Sequence, residues 1–500
     1  MRCIYCIGFV ILTVTASCGS GTPYWVRIID AETGRGVPLV ELRTPNAVAF
    51  WTDSNGVAVI DDPAFQDHDV AFVIHSDGYE FPGKLMIGED SGRILQVRPG
   101  FHDELKIRRL NIAERLYRIT GADIYRDSVL AGLKAPIAQP ILDGGVVGQD
   151  TNVAIPYQGK IFWCWGDTVG LAGWNFAVSC ATSEPPGAGG LDPSIGVNLT
   201  YFVDVHGFSK EMVPLDRPGP PELVWIEGLL TVRDDKGVER LIATYTRQPG
   251  LAPPSERGVA VFDDAAKQFR VLAQLPLMGG HFSSHAFQVT LHGKRYWYLR
   301  PQLRMPDEWK AVADPMSYES YTCLETVARF EEAKPRLERR PSGELVCGWK
   351  RNTDWIGSDQ ERQLIARGLM KKGEALFPLL DPDSSAETGA SPSSIAWNPY
   401  RKKWIMLAEK TGTVFYSESD EPIGPWRWAK KILSHQAYNF YNVVQHPFFD
   451  QEGGRIIYFE GTYTSSFSDA KQDTPRYNYN QIMYRLRLDD PRLEALKVHP

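Results

Sequence analysis

The sequence predicts an all-β protein, and three observations carry that prediction. Aromatics are abundant, with 14 Trp, 21 Tyr and 22 Phe, and such residues suit pleated, half-buried surfaces. Turn-formers are abundant too, with 44 Gly and 35 Pro. An apolar strand, a turn and an aromatic-rich strand then recur five times along the chain. At 500 residues the chain is long enough for two or three folded units. Its 43% hydrophobic and 23% charged content excludes disorder as the main state, and a net charge of -7 argues against nucleic acid as a partner.

Residues 1–20 read as a targeting segment. Arg2 precedes an apolar run from Ile4 to Val14, and small residues follow up to Cys18. A positive start, a short apolar core and a small-residue exit describe a secretory signal peptide, so the expected location is periplasmic, outer-membrane-anchored or extracellular. Thr15-Ala16-Ser17-Cys18 also resembles the lipobox of bacterial lipoproteins, which implies lipidation of Cys18 and attachment to a membrane. Ordinary cleavage is the alternative. Cys164, Cys180, Cys323 and Cys347 remain; they form no CxxC or CxxH, which argues against a structural zinc site, and export permits disulfides that a chain this large does not require.

Residues 21–102 are expected to form a small β unit. Tyr24–Asp30 reads as a strand, Thr33-Gly34-Arg35-Gly36-Val37-Pro38 as a turn, and Asn55-Gly56 as a hairpin signal between apolar runs. The TG-x-x-V-P turn followed by Thr52-Asp53-Ser54-Asn55-Gly56 resembles the carboxypeptidase regulatory-like, transthyretin-like β-sandwich, a module that is mostly structural or adhesive. Residues 103–135 are expected to form a helical connector. Leu105, Ile107, Leu110, Ile112, Leu116, Tyr117 and Ile119 recur near helical spacing among Arg108, Arg109, Arg115 and Arg118.

Residues 136–490 hold the five hairpins. Their turns fall at Gln158-Gly159, Asp234–Gly237, His292–Lys294, Asn398–Arg401 and Gln451–Gly454. Hairpins at irregular intervals of more than about 50 residues fit the blades of a five-bladed β-propeller with long insertions, each blade holding about four strands. A helical insertion is expected over residues 360–376.

In each hairpin, the start of the first strand and the end of the second share one edge, which in a propeller faces one end of the channel. That edge collects Asp150 with Asp167, Glu227 with Tyr245 and Arg247, His285 with Arg300, Ser393 with Glu409, and Asn442 with Glu460. So many acids beside an arginine and aromatics suit a polyhydroxylated substrate. Val147-Gly148-Gln149-Asp150-Thr151-Asn152 with Phe162-Trp163-Cys164-Trp165-Gly166-Asp167-Thr168 resembles the first blade of five-bladed propeller glycoside hydrolases of the arabinanase and agar-oligosaccharide type. The resemblance implies Asp150 as general base or nucleophile, Glu227 as the acidic residue tuning the acid, and His285 as the acid, with Glu460 or Glu409 as alternatives. Asp167, Arg300, Glu409, Asn442 and Trp165 are the substrate-binding candidates. Each has a plainer reading: Asp167 closing a turn, Glu460 paired with an arginine such as Arg476, His285 a satisfied core histidine.

The expected function is therefore a carbohydrate-acting hydrolase, with a non-catalytic glycan- or protein-binding surface protein as the alternative. No cofactor is expected, although Asp150, Asp167 and backbone carbonyls could together hold Ca²⁺. From Arg108 to Tyr484 the chain also resembles exported bacterial proteins of unknown function, a likeness that supplies no activity.

Overall fold

A computed structural model describes residues 22–85, 91–175, 178–214, 222–276 and 285–496. The leader, with Cys18, lies outside the described residues, as does the stretch just before His285. Among the described residues the fold is all-β, the longest helix is Ser358–Ala366, and no helix is long and apolar enough to cross a membrane.

Two four-stranded sheets make the N-terminal unit. One orders Val57–Ile60, Tyr24–Asp30, His102–Arg109 and Tyr79–Glu80; the other orders Ala49–Trp51, Glu41–Arg43, His68–His75 and Gly92–Val97. Alternation drives their shared core: Val26, Ile28, Leu42, Phe72, Leu95 and Leu105 point inward and bury against one another. Asn55-Gly56 does turn the chain, with Gly56 at φ 75°. Its flanking strands sit in different sheets, so the turn is a crossing between layers and not the expected hairpin.

The helical connector is corrected. His102–Arg109 is a strand with Leu105 and Ile107 buried two residues apart, and Glu114–Arg118 is a second strand buried at every position. Two strands read end to end across a turn mimic helical spacing; only Arg126–Leu130 is helical. Nor is there a solvated cationic face, since Arg115 and Arg118 are both buried.

Five antiparallel sheets follow in succession. The first holds Asn152–Tyr157, Lys160–Trp165, Ser179–Ser183 and Thr200–Tyr201. The second holds Leu223–Arg233, Glu239–Gln248, Glu256–Asp263 and Gln268–Leu275. The third begins with Phe287–Leu291 and Lys294–Arg300 and runs to five strands. The fourth holds Ser391–Asn398, Lys403–Lys410, Thr413–Ser419 and Ala429–Ser434. The fifth takes Asn439–Gln445, Ile456–Thr464 and Asn480–Arg487, and its outer strand is Glu114–Arg118 from before the first sheet. The start and end of this region are thereby tied into one sheet. Packing follows the same order: Phe162 and Cys164 of the first sheet share a core with the second, while Trp163 and Trp165 face the fifth through Tyr117, Tyr458 and Met483. Cys164 bonds Cys180 within the first sheet, and Cys323 bonds Cys347 in the third. The insertion predicted over 360–376 is α-helical to Ala366, Gly368 at φ 70° follows the helix end, and a 3₁₀ turn, Lys372–Glu374, comes after it.

Candidate functional site

The leading edge, where each first strand begins and each second strand ends, is shaped by breaks in pairing. In the first sheet the chain interrupts at Asp150-Thr151: Val146–Gln149 pairs with Thr168–Gly170 in a small separate sheet, and Asn152–Tyr157 continues in the main one. In the second, fourth and fifth sheets the register shifts between Ile226 and Gly228, Pro392 and Ser394, and Tyr441 and Val444. Glu227, Ser393 and Asn442 fall in those shifts. A bulge turns a side chain out of the pleat, so the residues expected at this edge are the ones the bulges re-aim.

Contacts then run from sheet to sheet along that edge. Trp225 Nε1 donates to Asp167 Oδ1 at 2.7 Å, joining second to first. Glu227 in the second sheet interacts electrostatically with Arg300 in the third. His285 and Arg300 share a cavity of about 30 Å³ with Pro392 and Ser393 of the fourth sheet. Glu409 accepts from the backbone amides of Asn442, at 3.2 Å, and Val443, at 2.8 Å, joining fourth to fifth. Asn442 Nδ2 donates to Thr151 Oγ1, and Tyr441 OH to Asp150 Oδ2 at 2.8 Å, returning to the first.

Asp150 is the best-furnished group at this edge. Its Oδ1 accepts the Asp167 amide at 3.0 Å, and Tyr479 hydrogen-bonds it as well as Tyr441. It lies deep yet keeps a solvent-accessible side. Burial, then the negative charge of Asp167, pushes its pKa up to about 6 against the pull of the tyrosine hydroxyls. Asp167 is also raised, by burial, although the Trp225 indole opposes this. Gly166 makes room for the arrangement, because a Cβ there would lie 2.6 Å from Asp150 Oδ1. Backbone strain gathers here: Thr151, Asn442 and Tyr479 have φ of 49°, 52° and 61°. A positive φ is a marked outlier for a β-branched residue such as Thr151, and strain of this kind concentrates at functional sites.

Other expected residues fare differently. Glu227 is nearly buried, 3.8 Å from Arg257 Nε, so it belongs to a charge cluster with Arg257 and Arg300. Burial lowers Arg300 to about 10, and its guanidinium lies 5.0 Å from the Trp355 ring. His285 reaches this edge, but burial, aided by the charge of His446, drops its imidazole to about 3. Burial thus favours the neutral imidazole over the imidazolium acid expected of it. Glu460 is corrected: it is fully buried one step beyond the bulge, opposite Val444, with its Oε1 2.8 Å from His446 Nε2. Arg476 instead faces Asp123 and Asp127. Trp165 is also corrected, since it is 1% exposed and packs on Trp163 and Tyr201, out of reach of a substrate. Glu409 spends its carboxylate on two backbone amides, which makes it a positioning residue. Among the described residues no group of three or more His, Cys, Asp or Glu is placed to hold a metal.

The fold and this edge thus define an all-β protein whose consecutive sheets are linked along a strained, acid-bearing edge. No family model matches the chain, and no curated protein matches it. Among solved structures, one described as a hydrolase of Bacteroides ovatus aligns at 12% identity, covering 72% of this chain and 89% of that one, with a TM-score of 0.43. The exo-β-1,3-galactanase of Phanerochaete chrysosporium, solved with β-1,3-galactotriose, aligns at 9% identity over 74% and 64%, TM-score 0.36. The endo-arabinase of Bacteroides thetaiotaomicron aligns at 11% over 70% and 98%, TM-score 0.31. Identity this low transfers neither substrate nor catalytic residues to the present chain.

Proposed function

We propose that the chain is an exported glycan hydrolase, built as a five-bladed β-propeller behind a transthyretin-like sandwich, with its chemistry at Asp150. The observation that carries this reading is the coupled pair Asp150 and Asp167: two acids at the end of one hairpin, each with a raised pKa, each held by hydrogen bonds. The negative charge of Asp167 adds to burial in raising Asp150, so Asp150 is a base poised near neutrality. Asp150, gripped by Tyr441 and Tyr479, is the base that takes a proton from water; Asp167, with one oxygen tied to Trp225, is the neighbouring charge that keeps Asp150 basic. Arg300 and Asn442, at the same edge, are the groups assigned to sugar hydroxyls in this reading.

Asp150→Asn keeps the side chain's size and removes its charge. Hydrolysis of the responsive glycan in a polysaccharide panel is expected to fall roughly 10²–10⁴-fold, the scale of losing an acid–base group, with binding retained. Undiminished turnover by a folded variant would refute the assignment. The non-catalytic, glycan-binding reading draws support from the burial of Glu460 and from the lowered pKa of His285, two of the acids first considered. It is distinguished by a wild-type chain that binds glycan and hydrolyses none of the panel.

A further inference from the structure

A cavity of about 510 Å³ lies beside the fourth sheet, and none of the residues collected at the Asp150 edge lines it. That volume is within the roughly 300–1,000 Å³ typical of small-molecule sites. Separate parts of the chain enclose it. The helix Ser358–Ala366 gives Ile365 and Ala366, and the segment leading into the fourth sheet gives Phe377, Leu379 and Leu380. Trp428, which precedes that sheet's outer strand and is bridged to Leu380, completes an apolar and aromatic wall. Such a wall favours an apolar body over a sugar, whose hydroxyls would find few partners.

Charged side chains line it too: Arg362, Lys372 and Arg427 against Glu361 and Glu387. Four of these are committed. Glu361 is buried, and its carboxylate accepts the amides of Leu376 at 2.9 Å and Phe377 at 3.1 Å. Lys372 donates to Glu387 at 2.8 Å, and Arg362 donates to Asp359 and to the Ala390 carbonyl. Arg427 remains: it is exposed, and its guanidinium makes no hydrogen bond or ion pair among the described residues. It also borders a neighbouring cavity that holds Glu418, Asp420 and Glu421. There Arg401 takes Glu418 and Lys403 takes Asp420, and no ion pair joins Glu421 to Arg427 among the described residues. An apolar cavity with one uncommitted cation suits a ligand with an apolar body and a single negative charge. A guanidinium matches a carboxylate through two parallel N–H bonds. We propose that this cavity binds a small apolar carboxylate, its body against Phe377, Leu380 and Trp428 and its head on Arg427.

Calorimetric titration of the full chain with dodecanoate, below its micelle concentration, tests this. One saturable site is expected, weakened at least about tenfold in Arg427→Gln, the scale of losing a charge-assisted hydrogen bond. That side chain holds no other described residue, so the variant should fold as wild type does. Ala366→Trp, at the exposed end of the helix, puts an indole into the cavity and should remove binding while leaving Arg427 in place. Dodecyltrimethylammonium, with the same chain length and the opposite charge, should bind at least about tenfold more weakly. The titration involves no hydrolysis, so its outcome is independent of the function proposed for Asp150. The proposal is overturned by wild type without a saturable site, by undiminished binding in Arg427→Gln or Ala366→Trp, or by equal affinity for the cation. It is overturned as well by a dimer that dodecanoate dissociates, which would make a second copy the occupant.

Discussion

Asp150 illustrates how a functional carboxylate is maintained against stability. Its pKa rises from the ordinary 3.8 to about 6 in the folded chain, so between those values the folded state holds a proton that the unfolded state has lost. Stability linked to this group is therefore complete below about pH 4 and declines as pH rises to about 6. Two units correspond to about 3 kcal/mol at most, before solvent reaching the exposed side reduces it. Asp150→Asn should then melt higher than wild type at pH 7 and match it at pH 4; a variant less stable at both would show that the carboxylate is a structural partner. Activity should move the opposite way, rising through about pH 6 as Asp150 ionises. Tyr441→Phe removes one donor to Asp150, raises its pKa further and should shift that rise upward by about a unit, read from kcat against pH. Asp150 was legible in the sequence because it stands where an apolar strand begins beside a second acid. Tyr479 was not, because it lies in a long loop and reaches Asp150 only through the seam between the fifth and first sheets.

At the scale of elements, the bulges decide which side chains meet. The five hairpins could be read from alternation and turn residues, but a bulge of one or two residues leaves no periodic trace. Glu460, counted from its strand end, therefore appeared beside Asn442, whereas the shift between Tyr441 and Val444 carries it inward to His446. The same counting put Trp165 at the edge, although its neighbours Trp163 and Tyr201 close over it. Glu409 shows what holds a bulge in shape: its carboxylate accepts both amides that the register shift leaves without strand partners. Glu409→Gln replaces one acceptor oxygen with an N–H₂ group facing a donor. The variant should lose about 1–3 kcal/mol by chemical denaturation, and activity with it, because Tyr441 and Asn442 are set by that bulge. An unchanged denaturation midpoint would show the bulge to be self-supporting.

Across the whole molecule, the strand missed by periodicity proves to be the tie between its parts. Glu114–Arg118 forms the outer strand of the fifth sheet, and Arg115 points from it into the N-terminal unit. Its guanidinium donates to the carbonyls of Pro38, Leu39 and Asp77, to Ser76 Oγ and to Tyr484 OH, at 2.6–3.2 Å, under the Tyr79 ring. Tyr477 adds a second tie, accepting from the Leu39 amide and donating to the Thr52 carbonyl. The TG-x-x-V-P turn is thus a docking element as well as a turn, and the two units should unfold together. Arg115→Met keeps the length and apolar stem while leaving three carbonyls and two hydroxyls without this donor, at a cost of about 3–5 kcal/mol by analogy with breaking a buried charged network. Calorimetry should show one transition for wild type and, for Arg115→Met, an N-terminal transition that separates and moves down. If the variant still melts in a single unshifted transition, apolar contact between Leu39 and the core of the fourth and fifth sheets is what binds the units.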